Sequence, residues 1–567
     1  MPLSADLTRV EGDADLSPSG PYRGLKQLGL VLLCAVWIVL GLFGHDPWKA
    51  DDATAFGIAY DTLKQGDWVV PHLVGMPVPD RPPLLPAMAA ATAWALRGIM
   101  PLHDGAHAAV GLFVGATLWL LGLAGRELYG HAFRWLPGLI FVGCVGLWDR
   151  GHLLSPEIGL LLADALALYA LALALRRPLG GGALLGLAIG VAFLSRGPIA
   201  VAIIVITAAS LPLFAAWRTR SYALCVASAF VVAVPLVVAW PTALYLRSPT
   251  LFGQWADAQS ISHYFGLTAN APPWEPLYYL KNLPWFAWPA LPLALWTLWV
   301  RGRGYNGSLS TPGVELPGMM FCILLVVLSA APEPRASLAL PLLVPLVLLG
   351  AAEVDTLKRS YSGALDWFGI LTFGLIAVLL WGLWLISLRS GLPDAVAQVF
   401  LDTEPGYRPP WQLLPALASL FLTLLWLVLV RPARRSNRRA VLNWAAGMTL
   451  AWGLFATIWL PYVDSRRSYR SVAESLAAAL PAGTCIAGRN LGEPQRALLE
   501  YFAGIVTVRD DAPGAKRCAA LLLQVGRGEA SEPPNSGWIK IWEGHRRGDD
   551  TERLILFRRS PATRQKT

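Results

Sequence analysis

Apolar runs of roughly 16 to 24 residues recur from Leu28 to Leu460, separated by short polar stretches. Each run is long enough to cross a hydrocarbon layer of about 30 Å as a helix, and lipid leaves the backbone of an open chain no other partner. About fourteen such runs begin near residues 27, 84, 107, 136, 158, 182, 197, 222, 284, 316, 337, 364, 411 and 441. After Val463 the pattern turns soluble. An amphipathic helix is predicted around Tyr469 to Leu480, with short strands at Cys485–Ala487, Ile505–Val508, Ala519–Val525 and Leu554–Phe557, which together predict a small α/β domain. Within the apolar part, Gly182, Gly186 and Gly190 recur every fourth residue, a spacing that lets two membrane helices approach closely.

The flanks of the runs orient them. Arg23/Lys26, Arg126/Arg134, Arg176/Arg177, Arg218/Arg220, Arg301/Arg303, Lys358/Arg359 and the cluster from Arg431 to Arg439 are basic, and the positive-inside rule makes all of them cytoplasmic. That alternation sends Glu157, the loop from 247 to 282 and the tail after Pro461 to the opposite side. An even number of crossings from a cytoplasmic start would bring the tail back inside, so one run before Arg126 must not span. Pro83–Ile99 is short, rich in Ala and opens on prolines, and is expected to lie in the outer interface. The expected organisation is a cytoplasmic segment at 1–26, a transmembrane domain at 27–460 with about thirteen spanning helices, and a soluble domain at 461–567. External loops are expected at about 45–104 and 247–282, with Trp48, Trp68, Trp255, Trp274, Trp285 and Trp288 in or near them as candidates for the headgroup zone.

Composition agrees with a membrane solvent: the 567 residues are 55% hydrophobic and only 15% charged, with a mean hydropathy of +0.49. The formal net charge of +9 would suggest nucleic acid in a soluble chain, but here the basic residues sit in short loops and report topology instead, so no nucleic-acid partner is expected. The first apolar run lacks a small-residue cleavage site and is read as a retained helix. Cys34, Cys144, Cys225 and Cys322 lie in apolar runs as small hydrophobes, whereas Cys485 and Cys518 in the tail can pair if the tail lies in an oxidising compartment. There is no paired CxxC, HExxH or Walker loop, so no metal or other cofactor is predicted.

Chemistry concentrates in the first external loop. Asp51 and Asp52 open a predicted helix immediately after the first membrane exit. Acids there complement the helix dipole, and an acid at the membrane surface is also where a base is needed to deprotonate an acceptor hydroxyl. Arg196 lies between two apolar runs, a costly position that usually faces a polar cavity.

The run Asp51-Asp52, then Gly66-Asp67-Trp68-Val69-Val70-Pro71-His72-Leu73, Gly75 and Arg81-Pro82-Pro83-Leu84, resembles the first-loop signature of integral-membrane glycosyltransferases with the C-type fold. The bacterial lipid A aminoarabinose transferases and, further away, the protein O-mannosyltransferases are the families it is similar to. The resemblance continues through Ser155-Pro156-Glu157, Leu194-Ser195-Arg196-Gly197-Pro198, the stretch Trp274 to Trp285 with Tyr278-Tyr279, and Pro332 to Leu348 with Arg335. It implies a polyprenyl-phosphate sugar donor, a lipid, glycan or protein acceptor, and an active site on the periplasmic side of a bacterial inner membrane. It implies Asp51 as base, Asp52 and Glu157 as supporting acids, and Arg81, Arg196 and Arg335 toward the donor phosphate. His263, Tyr264, Tyr278 and Tyr279 are expected as donor or acceptor contacts.

The sequence also departs from that pattern. Asp51-Asp52-Ala53-Thr54-Ala55 stands where the aminoarabinose transferases carry Asp-Glu-Ala-Arg-Tyr, so the Arg and Tyr after the acids are missing, Arg81 stands for a Lys, and His263-Tyr264 stands for Arg-Phe. Arg keeps the charge and grips phosphate bidentately, so donor binding survives these exchanges better than sugar identity does. The alternatives are a transporter or flippase of lipid-linked sugars, a glycan polymerase or ligase, and a non-catalytic relative. A transporter needs acids near the bilayer midplane between repeated halves. Here the acids fall outside and no repeat is visible.

Overall fold

A computed structural model of the chain describes residues 23–48, 50–266, 274–391, 408–431, 436–481, 484–512, 514–527, 537–546 and 551–560. All fourteen apolar runs contain helix. The first are α1 (Arg23–Val39), α2 (Asp51–Gln65), α3 (Leu84–Leu96), α4 (Leu102–Tyr129), α5 (Leu136–Val142), α6 (Pro156–Ala174), α7 (Pro178–Arg196), α8 (Pro198–Ser210), α9 (Arg220–Arg247) and α10 (Pro249–Ala258). Among the described residues, six helices are long and apolar enough to cross a membrane: α4, α6, α7, α9, Pro312–Ser329 and Arg359–Ser390. Two bent pairs, Tyr278–Phe286 with Ala290–Gly302 (99°) and Asn437–Phe455 with Leu460–Arg467 (62°), raise the number to eight if each is one span. Shorter apolar helices cover Lys26–Val39, Leu84–Leu96, Pro198–Leu213, Ser337–Ala352 and Leu413–Leu429.

The centre of the bundle is α6, whose residues from Glu157 to Ala174 are almost all buried because α4, α7 and the helix Leu340–Ala352 surround it. The glycine stripe works as its spacing predicts. A Cβ on Gly182 would lie 2.2 Å from the carbonyl oxygen of Cys225, and one on Gly186 would lie 2.6 Å from that of Ala229, so α7 and α9 touch backbone to backbone.

Outside the bundle, the hairpin β1 (His72–Leu73) with β2 (Met76–Pro77) belongs to the first loop. The C-terminal part forms a five-stranded sheet in the order β4-β3-β5-β7-β6, from β3 (Ile486–Arg489), β4 (Thr507–Arg509), β5 (Ala520–Gly526), β6 (Trp538–Gly544) and β7 (Glu552–Arg559). β3 pairs in parallel with β4 and β5, and β7 runs antiparallel between β5 and β6. Strand alternation sends Leu522, Leu554 and Leu556 to the face covered by the helices Arg470–Ala479 and Glu493–Ala503. Leu521, Ile555 and Phe557 go to the other face, with Cys518. Cys485 and Cys518 form a disulfide. Ala53 of α2 belongs to the first of these two cores, so the loop after α1 supplies part of the interior of the C-terminal sheet layer.

Two of the tryptophans expected as headgroup anchors are core residues instead. Trp48 is buried and donates through Nε1 to Asp464 Oδ1 at 2.9 Å. Trp255 is buried among Val70, Phe193 and Leu244, which fastens the first loop to α9 and α10. Trp68, Trp274 and Trp285 are exposed.

Candidate active site

Helix α2 carries the site, and both of its ends are built for it. Asp51 and Asp52 occupy its first turn, where carboxylates complement the helix dipole. Asp52 is 2% exposed: Trp48 N donates to its Oδ2 at 2.7 Å and Leu154 N to its Oδ1 at 3.0 Å, and His107 Nε2 lies 2.9 Å from Oδ1. Burial alone would raise this carboxyl, but His107, His45 and the Trp48 N–H together hold it below its ordinary value. The helix stops at Gly66, whose φ of 73° is the left-handed C-cap that favours glycine. Asp67 then accepts Val69 N and Val70 N at 3.0 and 3.2 Å, turning the chain toward the hairpin, and Asp61 accepts Gly75 N at 2.8 Å.

Asp51 is half-buried and opens onto a cavity of about 400 Å³. Its walls include Asp52, Asp149, Arg150, Ser155, Ser337, Arg467 and Arg546. Three arginines from three distant segments therefore surround the acid pair. Arg467 lies over the Trp48 ring at 4.8 Å, and Arg150 lies 3.6 Å from Asp149. Arg546 rests 4.9 Å from the Tyr469 ring centroid.

Glu157 opens α6 and is 2% exposed. Arg196, at the end of α7, reaches its Oε1 at 3.2 Å, while Oε2 has no hydrogen-bond partner among the described residues. The chain connects this pair to the acid pair, since Leu154, the residue bound by Asp52, lies three positions before Glu157. Arg81 points elsewhere: its Nη2 donates to Glu493 Oε2 at 2.9 Å, on the C-terminal helix. Arg335 pairs with Glu333 at 2.9 Å, and its backbone N–H meets the Tyr279 hydroxyl at 3.4 Å. Tyr279 is buried against Tyr278, and Tyr264 donates to Val327 O at 3.3 Å. The His263 side chain lies outside the described residues. Of the residues expected from sequence, then, Asp51 and Asp52 share the cavity, Glu157 and Arg196 form an adjoining pair, and Arg81 and Arg335 are engaged by acids of their own.

The rim of the site is held by the C-terminal layer. Asp46 accepts Ser468 Oγ at 2.6 Å and pairs with Arg470, which keeps its carboxyl below the ordinary range despite burial. His103 meets the Tyr501 hydroxyl at 2.9 Å, and Lys64 pairs with Glu500 at 2.6 Å. Arg150, Arg467 and Arg546 escaped sequence reasoning, although the polar break Asp149-Arg150-Gly151-His152 and the Arg466-Arg467 pair at the last membrane exit were both visible as charges interrupting apolar runs.

No family model matches the sequence. Among curated proteins it is 30% identical over 388 residues to the undecaprenyl phosphate-α-4-amino-4-deoxy-L-arabinose arabinosyl transferase of Serratia proteamaculans, covering 65% of this chain and 66% of that one. The corresponding transferase of Aeromonas hydrophila is 25% identical over 485 residues, 82% of each chain. In structure, the chain superposes on ArnT from Cupriavidus metallidurans bound to undecaprenyl phosphate with a TM-score of 0.67 at 15% identity, over 95% of this chain and 98% of that one. The chain belongs to this family of membrane glycosyltransferases. The expected resemblance holds, and the transferase shares the ArnT-like fold, helical with a C-terminal sheet. Over the aligned stretch it spans about two thirds of the length of the Serratia relative.

Proposed function

We propose that this transferase moves a sugar from a polyprenyl-phosphate donor to a hydroxyl or phosphate acceptor on a lipid, glycan or protein, at the periplasmic face of a bacterial inner membrane. The observation that carries the proposal is the acid pair Asp51-Asp52 at the mouth of a cavity walled by Arg150, Arg467 and Arg546. A transferred sugar needs a base on its acceptor and cations on its leaving phosphate, and this cavity offers both within one wall. The relatives named for undecaprenyl-phosphate aminoarabinose support a polyprenyl-phosphate donor. The flippase and non-catalytic readings are not favoured beside them.

In this scheme Asp51 accepts the acceptor's proton as its oxygen attacks the anomeric carbon, and the bond to the donor phosphate breaks. Asp52, held by the Trp48 and Leu154 amides and in contact with His107, keeps the start of α2 in place. Glu157 faces positive charge on the ring, and Arg196 exchanges its carboxylate partner for the phosphate. Arg81 and Arg335 would join only after giving up Glu493 and Glu333.

The same proposal extends to topology. Eight spans with the bent pairs, together with the four shorter apolar helices other than Leu84–Leu96, support twelve of the about thirteen crossings of the membrane. The basic loops on alternate sides support a cytoplasmic segment at 1–26, a membrane domain at 27–460 and a periplasmic domain at 461–567. The Cys485–Cys518 disulfide supports an oxidising compartment for that last domain.

The test is transfer of radiolabelled sugar from a panel of polyprenyl-phosphate donors, in membranes carrying the wild type or Asp51→Asn. Product from the wild type, reduced at least about 100-fold in the variant, is expected. Equal product from both would remove Asp51 as the base.

A further inference from the structure

Four of the chain's eight histidines gather around the start of α2: His45, His103, His107 and His152. Two of them, with Asp52, form a group that hydrogen bonding alone does not account for. His45 comes from the loop after α1, Asp52 from the first turn of α2 and His107 from α4. They are 2%, 2% and 0% exposed, and one ligand atom from each lies within 4.8 Å of the other two.

Proton positions follow from the partners. His45 Nδ1 is 2.8 Å from the carbonyl oxygen of Asp46, and His107 Nδ1 is 2.8 Å from that of His103. A carbonyl only accepts, so both Nδ1 atoms carry the hydrogen, and in neutral rings both Nε2 atoms present lone pairs. Those lone pairs face a carboxylate. His107 Nε2 lies 2.9 Å from Asp52 Oδ1, and His45 Nε2 is buried with no hydrogen-bond partner among the described residues. Protonating His107 would satisfy its contact with Asp52 but would leave the His45 nitrogen still buried and bare, at a cost of about 1–3 kcal/mol. A cation among the three satisfies every one of these atoms.

The surroundings are those of a metal site. Each imidazole is fixed by a backbone carbonyl on its far nitrogen, and the carboxylate is fixed by the Trp48 and Leu154 amides. Two atoms held at about 2.0–2.1 Å by one tetrahedral ion sit about 3.3 Å apart, so His107 Nε2 and Asp52 Oδ1, at 2.9 Å, would part by a few tenths of an ångström to take it. Two imidazoles and one carboxylate suit zinc and its neighbours, whereas magnesium and calcium take oxygen.

We propose that His45, Asp52 and His107 bind one zinc-class divalent cation behind the acid pair. The ion joins the first loop, α2 and α4, and through the Leu154 amide on Asp52 it also fixes the turn leading to Glu157. Its role is positioning: it holds the start of α2, and hence Asp51, against the cavity. Metal binding itself does not depend on the glycosyltransfer scheme, so the two can fail separately.

The experiment is metal analysis of the full-length protein, purified in detergent, stripped with chelator, exposed to zinc and then gel-filtered. About one zinc per chain is expected for the wild type and for the control His131→Ala, falling at least about fivefold in His45→Ala and in His107→Ala. Cobalt in place of zinc should give visible absorption in the wild type that both variants lose. A wild type that retains no zinc overturns the proposal, as do folded variants that retain it in full. If the variants aggregate, X-ray absorption at the zinc edge of the wild type decides: a shell with two imidazoles supports the site, and a shell without imidazole overturns it.

Discussion

Gly57 of α2 faces Ala497 of the C-terminal helix Glu493–Ala503 so closely that a Cβ on the glycine would lie 2.5 Å from the alanine's Cβ. The contact is flanked by Phe56 and Tyr60, both edge-on to Tyr501 at 4.7 and 5.2 Å, and by the Lys64–Glu500 pair. Gly57→Val should therefore push the C-terminal layer off α2. The cost expected from overpacking is about 1–3 kcal/mol. Limited proteolysis should release the C-terminal part faster than in the wild type, and unchanged protection would refute the docking.

Arg81 has two incompatible assignments, phosphate holder and clamp to Glu493. The pair is part-exposed on both sides, so as a clamp it contributes no more than about 1 kcal/mol. If Arg81 serves the donor, Arg81→Ala should lower transfer at least about 10-fold while Glu493→Gln changes it less than about 3-fold. Equal, small losses in both variants would leave only the clamp.

The carbonyl oxygen of Ala229 stands where a Cβ on Gly186 would be, at 2.6 Å. Backbone cannot swing aside as a side chain can. Gly186→Leu should separate α7 from α9, and with α7 it should shift Arg196 away from Glu157. Expression in membranes and thermal stability should both fall, by about 2 kcal/mol or more, whereas Gly180→Ala, which meets nothing within 4 Å, should not matter.

The Cys485–Cys518 bond closes a loop with a sequence separation of 33. Chain-entropy arguments give such a loop about 3–4 kcal/mol of stabilisation. Cys485→Ser should lower the urea midpoint of the C-terminal part accordingly, and reducing agent should reproduce the loss in the wild type but not in the variant.

Much of this was legible in the sequence because it is local. Every apolar run contains a helix, and strands β3, β4, β5 and β7 fall on their predicted segments. The run near residue 136 is the exception in length: α5 ends at Val142, where Gly143 and Gly146 pack against Trp444 and Phe286 with no room for side chains. β6 was missed because it is an edge strand with no fully buried residue, so its sequence lacks a buried stripe. The helix Glu493–Ala503 was missed although Ala497, Leu498 and Leu499 interrupt a polar stretch. In the site, Asp51 and Asp52 stood out as acids next to a membrane exit. Their partners did not, because His107 meets Asp52 across 55 positions and Arg467 and Arg546 reach the cavity from the far end of the chain. Contacts between distant segments leave no periodic signature in either one.

The same distance has a consequence for synthesis. Asp46 meets Ser468 and Arg470 across 422 and 424 positions, and Ala53 waits for a core built from strands as late as β7. The ribosome delivers the acid pair early and its outer wall last, after the membrane helices in between have been inserted. Until β7 is made, Ala53 lacks its core and the edges of Phe56 and Tyr60 that meet Tyr501 stay open, so the Arg546 side of the cavity closes only when the C-terminal layer folds back onto the first loop.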